Sequence, residues 1–302
     1  LEFRRVLFRS QKTLDDDFTP KGIKHWNEKR YKRKLKKISH VLSNVGTQKS
    51  EHPPAIIGLV EVENKRVLND LIHTKKLKNH DYGFVHYDSP DERGIDVALL
   101  YKKDLFKPED SETFPLLLTD EDGQRDYTRD ILLVNGYLNK EHIHILVNHW
   151  PSRRSGIDET EEKRIKAAQT AAHIISKITQ KINDPKIIVM GDFNDDPSSK
   201  SVKNYLTGSR LFNPMEQLNA KGKGSMNHKK HWHLFDQILF SKNFFDDRDS
   251  KHSFEHAEVF DRHFLQEWSG KYKGNPFRTY AGKRYLGGFS DHFPVYVYLR
   301  LN

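Results

Sequence analysis

Short apolar segments recur along the chain, and most of them are rich in valine, isoleucine and aromatic residues. Runs of this length bounded by turn residues are typical of β-strands. Seven segments follow the pattern: Ala55–Glu63, Ile95–Tyr101, Asp130–Leu138, His142–Trp150, Lys186–Asn194, His233–Ser241 and Phe293–Leu301. Only the tripeptide Asn139-Lys140-Glu141 separates the third segment from the fourth, so this pair is predicted to form an antiparallel hairpin.

Two longer segments show the 3.6-residue period of amphipathic helices. The first covers residues 31–45, and lysines and arginines cover one of its faces, which favours a solvated surface over a nucleic-acid site. Its apolar face is formed by Leu35, Ile38, Val41, Leu42 and Val45. The second runs from about Asp158 to Ile182, with acidic residues at its start and lysines near its end, as the helix dipole favours. Its inner face is formed by Ile165, Ala168, Ala172, Ile175 and Ile182.

Strands and helices in this mixture, with one evident hairpin, indicate a mixed sheet or stacked sheets flanked by helices. Two stretches, Leu211–Trp232 and Phe245–Gly288, show no clear period and are rich in charge, glycine and histidine. We therefore predict long surface loops there. Such loops usually carry substrate contacts. No internal repeat or low-complexity linker divides the chain, so residues 11–302 are predicted to form a single domain.

Composition adds a preference for polyanionic partners. The 302 residues include 51 basic and 42 acidic side chains, which give a net charge of +9. This balance favours nucleic acid first and anionic membrane second, although basic charge for solubility alone is the alternative. The absence of cysteine excludes disulfides, thiolate catalysis and zinc–thiolate sites.

The chain contains no apolar run long enough to span a bilayer. Its opening, LEFRRVLFRS, lacks the apolar core and the cleavage site of a signal peptide. We interpret residues 1–10 as a cloning or sequence-assembly remnant, so the native N-terminus is expected to be missing. A secreted or periplasmic location is favoured over a cytoplasmic one, and no obligate protein partner is evident.

Polar residues interrupt or end the apolar segments. In VMGDFNDDPSS, Asp192 and Asn194 directly follow a predicted strand. These residues could simply form the turn that ends the strand, or their oxygens could bind a hard divalent cation. Asp236 lies inside an apolar segment, where an unpaired carboxylate is costly. Similar interruptions occur at Glu61, at Asn148-His149 and at Ser290-Asp291-His292. Five interruptions of this kind favour one shared polar site over separate turns.

Five motifs in a fixed order carry a resemblance to a known family: GLVEVEN, VNHWPS, GDFN, FDQIL and SDHFPV. Any one of them is a weak signal, but all five in sequence are specific. From about Ile56 to the C-terminus the chain resembles the endonuclease/exonuclease/phosphatase superfamily, which includes deoxyribonuclease-I-like nucleases, neutral sphingomyelinases and inositol-phosphate phosphatases. Within this superfamily it most resembles the bacterial branch. The resemblance implies a four-layer α/β sandwich, in which two packed mixed β-sheets are flanked by helices and the site lies at one edge.

The resemblance also implies a metal site. Glu61 would be the principal Mg²⁺ ligand, with Glu63 as a less favoured candidate two residues on, and Asp291 would be a second carboxylate beside the metal. Carboxylate oxygens suit the hard, hexacoordinate Mg²⁺ ion, with Mn²⁺ or Ca²⁺ as alternatives.

Two histidines take proton-transfer roles by the same resemblance. His292 would act as general base or acid, oriented by Asp236, because a carboxylate-bound imidazole exchanges protons near neutral pH. His149 would donate to a phosphate oxygen or protonate the leaving group. Its own orienting acid would be Asp96, unless Asp96 binds a neighbouring backbone group instead.

The remaining roles concern water and phosphate. Asp192 would position or activate the attacking water, and Asn194 would bind a phosphoryl oxygen or hold Asp192. Arg129 matches a position where the family often places a phosphate-binding cation, with a surface salt bridge as the alternative. Arg153 and Arg154 are candidates for gripping the flanking phosphates, and Asn148 is a further substrate-binding candidate.

The chain departs from the family pattern in one respect. The first strand of the family normally carries an asparagine that helps to bind metal or phosphate, and no residue before Asn27 supplies it. Residues 1–10 stand where that strand is expected. Either the chain is truncated there, or the site is built without this asparagine and the enzyme is weakened or inactive.

The predicted activity is Mg²⁺-dependent hydrolysis of a phosphodiester by in-line attack of water, with DNA as the substrate and low sequence specificity. The segment Lys221–His233 supports this substrate, because it mixes lysine, histidine and Trp232 with glycine. Two alternatives stay open. One is hydrolysis of a small organic phosphate or a phospholipid headgroup, and the other is a pseudo-nuclease that only binds nucleic acid.

Overall fold

The computed structural model describes residues 16–153, 156–208, 211–246 and 251–302. The α-helices of this part of the chain are α1 (Glu28–Leu42), α2 (Lys65–Ile72), α3 (Ile157–Lys181), α4 (Lys200–Tyr205) and α5 (Met215–Ala220). Its strands are β1 (Ile56–Val62), β2 (Tyr82–His86), β3 (Asp96–Lys102), β4 (Phe106–Phe114), β5 (Leu118–Thr119), β6 (Arg125–Asp126), β7 (Ile131–Leu138), β8 (Glu141–His149), β9 (Lys186–Asp192), β10 (Leu211–Phe212), β11 (Met226–His228), β12 (His231–His233), β13 (Asp236–Ser241), β14 (His252–Val259), β15 (Tyr280–Ala281), β16 (Arg284–Tyr285) and β17 (Val295–Leu301).

Most of the strands lie in two stacked layers. One layer is a six-stranded sheet with the order β10-β13-β9-β8-β7-β4, in which β8 and β9 are parallel and the other neighbours antiparallel. The other layer consists of β1-β3-β2 and the pair β14-β17. A core between the layers buries Leu99, Val147, Ile188 and Tyr296.

Helices cover the outer face of each layer. Ile38 of α1 and Leu68 of α2 pack with Leu100 of β3 in a buried cluster. On the far side, Ala168 of α3 packs with Val189 of β9. The protein is therefore a four-layer α/β sandwich of two packed β-layers flanked by helices, which confirms the predicted fold class. Within the described residues no helix has both the length and the apolar character needed to cross a membrane.

All seven predicted strand segments contain a strand, and the predicted hairpin is the pair β7–β8. Both predicted helices are present as α1 and α3. In α3, however, Ile165 and Ile182 are only half-buried, and Arg164 is buried instead. Arg164 tolerates burial because its Nε lies 2.8 Å from a carboxylate oxygen of Asp195.

The prediction of a loop over Phe245–Gly288 is wrong for β14, which pairs with β17. This strand was not recognised because it is flanked by charge and exposes Glu255 and His256 on its outer side. The predicted loop over Leu211–Trp232 is also wrong in part, since it contains β10, α5 and the start of the hairpin β11–β12.

A slot interrupts the layer that β1 and β17 share. It is a cavity of about 410 Å³ between the two strands, and it extends to Asp192 and Asp236 of the facing sheet. Within the described ranges, β1 has β3 as its sheet neighbour and β17 has β14. The slot walls are apolar and include Ile56, Val60, Ile188, Met190, Val295 and Val297.

The parallel pair β8–β9 leaves no room for a side chain at Gly191. A Cβ atom at this position would lie 1.9 Å from the carbonyl oxygen of Asn148, and the φ angle of Gly191 is +140°. Both observations require glycine, because any other residue would clash with the neighbouring strand and strain its own backbone. The next residue is Asp192, so this contact sets where β9 delivers that carboxylate.

We expect Gly191→Ala to lower the free energy of unfolding by about 3 kcal/mol, the sum of backbone strain and overpacking. Gly123→Ala is the matched control, since Gly123 also has a positive φ (+76°) but no atom lies near its missing Cβ. The control should cost about 1 kcal/mol. Urea unfolding of the two variants measures the difference, and equal losses would show that strand packing at Gly191 is not limiting.

Candidate active site

The ends of three neighbouring strands place polar residues in a row. His149 of β8 lies opposite Asp192 of β9 in the parallel register, and Asp192 lies opposite Asp236 of β13 in the antiparallel register. The backbone N–H of Trp150 donates to the carbonyl of Asp192 at 2.9 Å and extends the β8–β9 pairing past the strand end. His149 Nε2 lies 3.7 Å from Asp192 Oδ2. Three of the predicted catalytic side chains therefore meet at one sheet edge.

The other β-layer contributes Glu61 and the Asp291-His292 pair. The pairing of β1 with β3 is irregular between Leu59 and Val62, and Glu61 within it has a φ of +56°. Irregularities of this kind re-aim a side chain, and a glutamate in the left-handed region is unusual enough to suggest function.

Residues from both layers line a common cavity of about 340 Å³. The predicted site residues on its wall are Glu61, His149, Arg153, Asp192, Asn194, Asp236, Asp291 and His292. Side chains that are up to 231 positions apart in sequence, from 61 to 292, thus share one cavity. The geometry gathers these residues, and the roles assigned to them stay predictions.

Asp236 and His292 form a partly buried ion pair, with His292 Nδ1 2.7 Å from Asp236 Oδ2. Burial lowers the pKa of His292, but the carboxylates of Asp236, Asp192 and Asp291 outweigh burial and raise it to about 10. Burial alone would raise the pKa of Asp236, yet the charge of His292 holds it below its ordinary value. The pair is therefore an imidazolium and a carboxylate at neutral pH.

Asp192 is held in a different electrostatic state. Burial raises its pKa to about 6, and the neighbouring Asp236 and Glu61 charges act in the same direction against the opposing charge of His292. Its Oδ1 accepts a hydrogen bond from the backbone N–H of Asn194 at 2.8 Å. The Asn194 side chain donates to the carbonyl of Trp150 at 3.0 Å. Of the two roles expected for Asn194, the structure shows the holding of Asp192, through the backbone.

His149 is neutral. Burial lowers its pKa well below the ordinary value, and the charges of Arg129 and Arg93 act in the same direction, while Glu61 opposes them. Its Nδ1 has no hydrogen-bond partner within the described ranges.

The prediction that Asp96 orients His149 is wrong. Asp96 Oδ2 lies 2.9 Å from Nε2 of His86, and Oδ1 accepts the backbone N–H of Ser89 at 2.8 Å. The carboxylate is engaged by β2 and by the loop that follows it. The alternative interpretation, binding of a neighbouring backbone group, describes one of these two contacts.

Two of the predicted substrate contacts have partners within the protein. Arg129 is buried, pairs with Asp91 at 3.1 Å and donates to the carbonyl of Trp150 at 2.6 Å. Asn148 is fully buried, and its Oδ1 accepts the indole N–H of Trp150 at 3.1 Å. Neither residue lines the cavity and both side chains have protein partners, so the structure gives no support to substrate binding by Arg129 or Asn148, which stays a prediction.

Arg153 lies on the cavity wall but is also tied to the loop after β9. Its Nε donates to the carbonyl of Asn194 at 2.7 Å, and its Nη2 lies 2.6 Å from Asp195. The guanidinium stacks over Phe235 at 4.6 Å from the ring centre. Phosphate binding by Arg153 stays a prediction. Arg154 and residues 1–10 lie outside the described residues.

Sequence reasoning missed Arg93, whose Nη1 lies 3.8 Å from Oε1 of Glu61. A single arginine in a polar loop gives no signal of such proximity. It also missed that His228 and His233 of the β11–β12 hairpin line the cavity. Here the cluster of histidines between positions 228 and 233 was a usable signal, since His233 pairs with Asp196 of the GDFNDD motif at 2.8 Å.

The donor set of the cavity fits a hard divalent cation. Mg²⁺ is usually bound by one or two carboxylates and keeps several of its waters. Glu61 and Asp291 offer two carboxylates that line the same cavity. The buried Asp192 lies close enough to Glu61 for the charge of Glu61 to raise the pKa of Asp192. These residues would hold the ion.

Solved structures share this fold. The humanized TDP2 of Danio rerio matches with a TM-score of 0.60 and 15% identity, over 91% of this chain and 94% of the other. A mannosyl-6-phosphatase of Bacteroides thetaiotaomicron matches with a TM-score of 0.58 and 16% identity, over 89% and 91%. An endonuclease/exonuclease/phosphatase family protein of the same organism gives 0.58 and 17%, over 89% and 86%.

No curated protein sequence matches the chain. The sequence profile described as the Endonuclease/Exonuclease/phosphatase family, by contrast, matches residues 8–301, which is nearly the whole chain. Members of that family are hydrolases of phosphoester bonds and generally use a divalent metal. On this match, the chain belongs to the endonuclease/exonuclease/phosphatase family.

Proposed function

We propose that the protein is a Mg²⁺-dependent phosphodiesterase that hydrolyses DNA with little sequence specificity. The observation that carries the proposal is the cavity where acids and imidazoles from both layers meet beside a lysine-tipped hairpin. When bound at Glu61 and Asp291, the metal supplies Lewis-acid stabilisation of the developing negative charge.

The protonation states divide the work among the side chains. Asp192, with a pKa of about 6, is mostly ionised at pH 7 and accepts the proton of the attacking water. His292 is protonated: its Nδ1–H donates to Asp236, and its Nε2–H donates to the leaving oxygen and protonates it as the P–O bond breaks. His149 is neutral and donates a single hydrogen bond to the phosphate. Asp236 orients His292 and exchanges no proton with substrate.

The hairpin β11–β12 supports DNA as the substrate. Its two-residue turn is Lys229-Lys230, with φ angles of +49° and +71°, and both side chains are exposed. Turns of this type strongly prefer asparagine and glycine, so lysine at both positions costs stability. Met226 and His228 of the same hairpin line the cavity, and Lys229 and Lys230 follow directly after His228.

Lysines at a cavity rim can neutralise the phosphates that flank the scissile one. Trp232, 36% exposed, stacks on Phe293 with an interplanar angle of 20° and is thereby held rigid at the same hairpin. A small phosphodiester would reach the catalytic side chains but not this turn. Contact with the hairpin would therefore distinguish the proposed DNA substrate from a small organic phosphate.

The protonation of His292 should depend on Asp236. We expect the imidazole of His292 to stay protonated at pH 8 in the metal-free protein and to lose that proton in Asp236→Asn, because the strongest charge that opposes burial is then removed and only Asp192 and Asp291 still raise the pKa. Nitrogen-detected NMR of the histidine rings measures this. Asp81→Asn, which removes an exposed carboxylate paired with Lys103, is the control and should leave His292 unchanged.

The same pair should give stability a defined pH dependence. Its contribution is fully present between the ordinary aspartate pKa of 3.8 and the ordinary histidine pKa of 6.5. It is lost as the pH falls below 3.8 and as the pH rises through about 10. A stability difference between the parent and Asp236→Asn that grows from pH 7 to pH 10 would contradict the assignment.

Catalysis should require both the metal and the imidazolium. We expect hydrolysis of bis-nitrophenyl phosphate and nicking of supercoiled plasmid to need Mg²⁺ and to stop with chelator. Glu61→Gln should abolish metal-dependent turnover, and His292→Ala should lower kcat by about 10²–10⁴. Single-stranded DNA and RNA tested side by side define the substrate. Equal nicking by the parent and His292→Ala would point to a contaminating nuclease and end the proposal.

The hairpin lysines should matter for DNA alone. We expect Lys229→Gly/Lys230→Gly, which keeps the turn backbone, to weaken DNA cleavage and to reduce the slope of log K against log salt by about 2. Hydrolysis of bis-nitrophenyl phosphate should be unchanged. Lys140→Gly is the matched control, because Lys140 is also an exposed lysine with a positive φ (+71°), at the opposite end of β8. Unchanged DNA cleavage in the double variant would exclude DNA contact at the hairpin.

A further inference from the structure

A second cluster of ligating side chains lies outside the cavity, where β2 ends and β3 begins. It consists of His86, Asp88 and Asp96, each of which offers one ligand atom, and these atoms lie within 4.8 Å of one another. None of the three residues lines the catalytic cavity. The cluster therefore needs its own explanation.

His86 is the central member, and its side chain is fully buried. Its Nε2 lies 2.9 Å from Oδ2 of Asp96, which can only accept. In a neutral ring this contact places the proton on Nε2 and leaves a lone pair on Nδ1. That Nδ1 has no hydrogen-bond partner within the described ranges, and a carboxylate oxygen of Asp88 lies 4.0 Å away. A buried acceptor without a donor is costly unless a ligand uses it.

Asp96 is itself fixed. Its second oxygen accepts the backbone N–H of Ser89 at 2.8 Å, so the ring of His86 is held in one orientation. Metal-bound histidines usually donate their other ring N–H to a carboxylate in this way, which fixes the tautomer and increases the basicity of the ligating nitrogen. The arrangement thus matches a carboxylate–histidine–metal triad, with Asp96 as the carboxylate, His86 as the histidine and the metal position beside Asp88.

We propose that Nδ1 of His86 and the carboxylate of Asp88 bind a borderline divalent cation such as Zn²⁺, with Asp96 as the positioning carboxylate. Imidazole nitrogen suits Zn²⁺, whereas Mg²⁺ prefers oxygen ligands alone. Two ligand atoms about 2.0–2.1 Å from a tetrahedral Zn²⁺ lie about 3.3 Å from each other. Asp88, whose side chain is 87% exposed, can close the difference from 4.0 Å by a change of rotamer. Water completes the coordination.

The position of the cluster links it to the catalytic cavity. The loop between β2 and β3 carries Asp88 near its start and Arg93 near its end, and Arg93 lies 3.8 Å from Glu61. The Ser89 hydroxyl donates to the carbonyl of Ile95 at 3.2 Å across the base of this loop. A cation on His86 and Asp88 would hold the same base from its other side, and so help to keep Arg93 beside Glu61.

Calorimetric titration of the chelator-stripped protein with ZnCl₂ in excess Mg²⁺ tests the proposal. The parent should bind one more Zn²⁺ than Asp88→Asn, or bind it at least tenfold more tightly. His86→Gln should match Asp88→Asn, and Glu61→Gln should keep the site. Asp110→Asn, which removes another exposed carboxylate, is the matched control. Cobalt(II) titration followed by visible absorption gives an independent count of the imidazole-ligated ion.

The outcomes separate the two sites. If Glu61→Gln loses the Zn²⁺ and Asp88→Asn keeps it, the ion lies in the catalytic cavity and the proposal is overturned. Equal Zn²⁺ binding by the parent and Asp88→Asn would also overturn it. Asp88 is exposed, so Asp88→Asn decides the matter even if His86→Gln does not fold.

Discussion

The ion pair between Asp236 and His292 joins the two β-layers of the sandwich. Asp236 begins β13 in the six-stranded sheet, whereas His292 lies just before β17 in the facing layer. Breaking a fully buried pair by removing one partner typically costs about 3–5 kcal/mol, and this partly buried pair should cost less, because water can still reach the remaining charge. The contact that orients the imidazole is therefore also one that holds the layers in register at the cavity.

Around this pair the cavity carries an excess of negative charge. Glu61, Asp192 and Asp291 face it together with Asp236, and His292 and the neighbouring arginines only partly balance them. A divalent cation would be stabilised by this excess of negative charge, and the Asp236 and Glu61 charges add to burial in raising the pKa of Asp192 to about 6. The net charge of +9 lies elsewhere, including the hairpin tip, so the molecule combines an acidic interior site with a basic rim.

The sequence predicted the residues whose chemistry conflicts with their local pattern. Asp236 in an apolar strand and Asp192 at a strand end stood out because burial of a carboxylate needs a reason. The predictions that the structure does not support concern side-chain direction and distant partners. Asn148 precedes His149 in the same strand, and neighbouring strand residues point to opposite faces, so only one of them can face the cavity. Arg129 pairs with Asp91, 38 residues earlier, which no local pattern reveals.

The slot between β1 and β17 gives the basic composition another meaning. Within the described ranges, β1 and β17 each leave one edge unpaired at the slot, and an unpaired strand edge is a template on which a second chain can add by backbone hydrogen bonds. Copies of a strongly cationic molecule repel one another, and this repulsion opposes fibre-like association through the gap. The basic charge that favours polyanionic partners therefore also opposes association of copies of this chain through the slot.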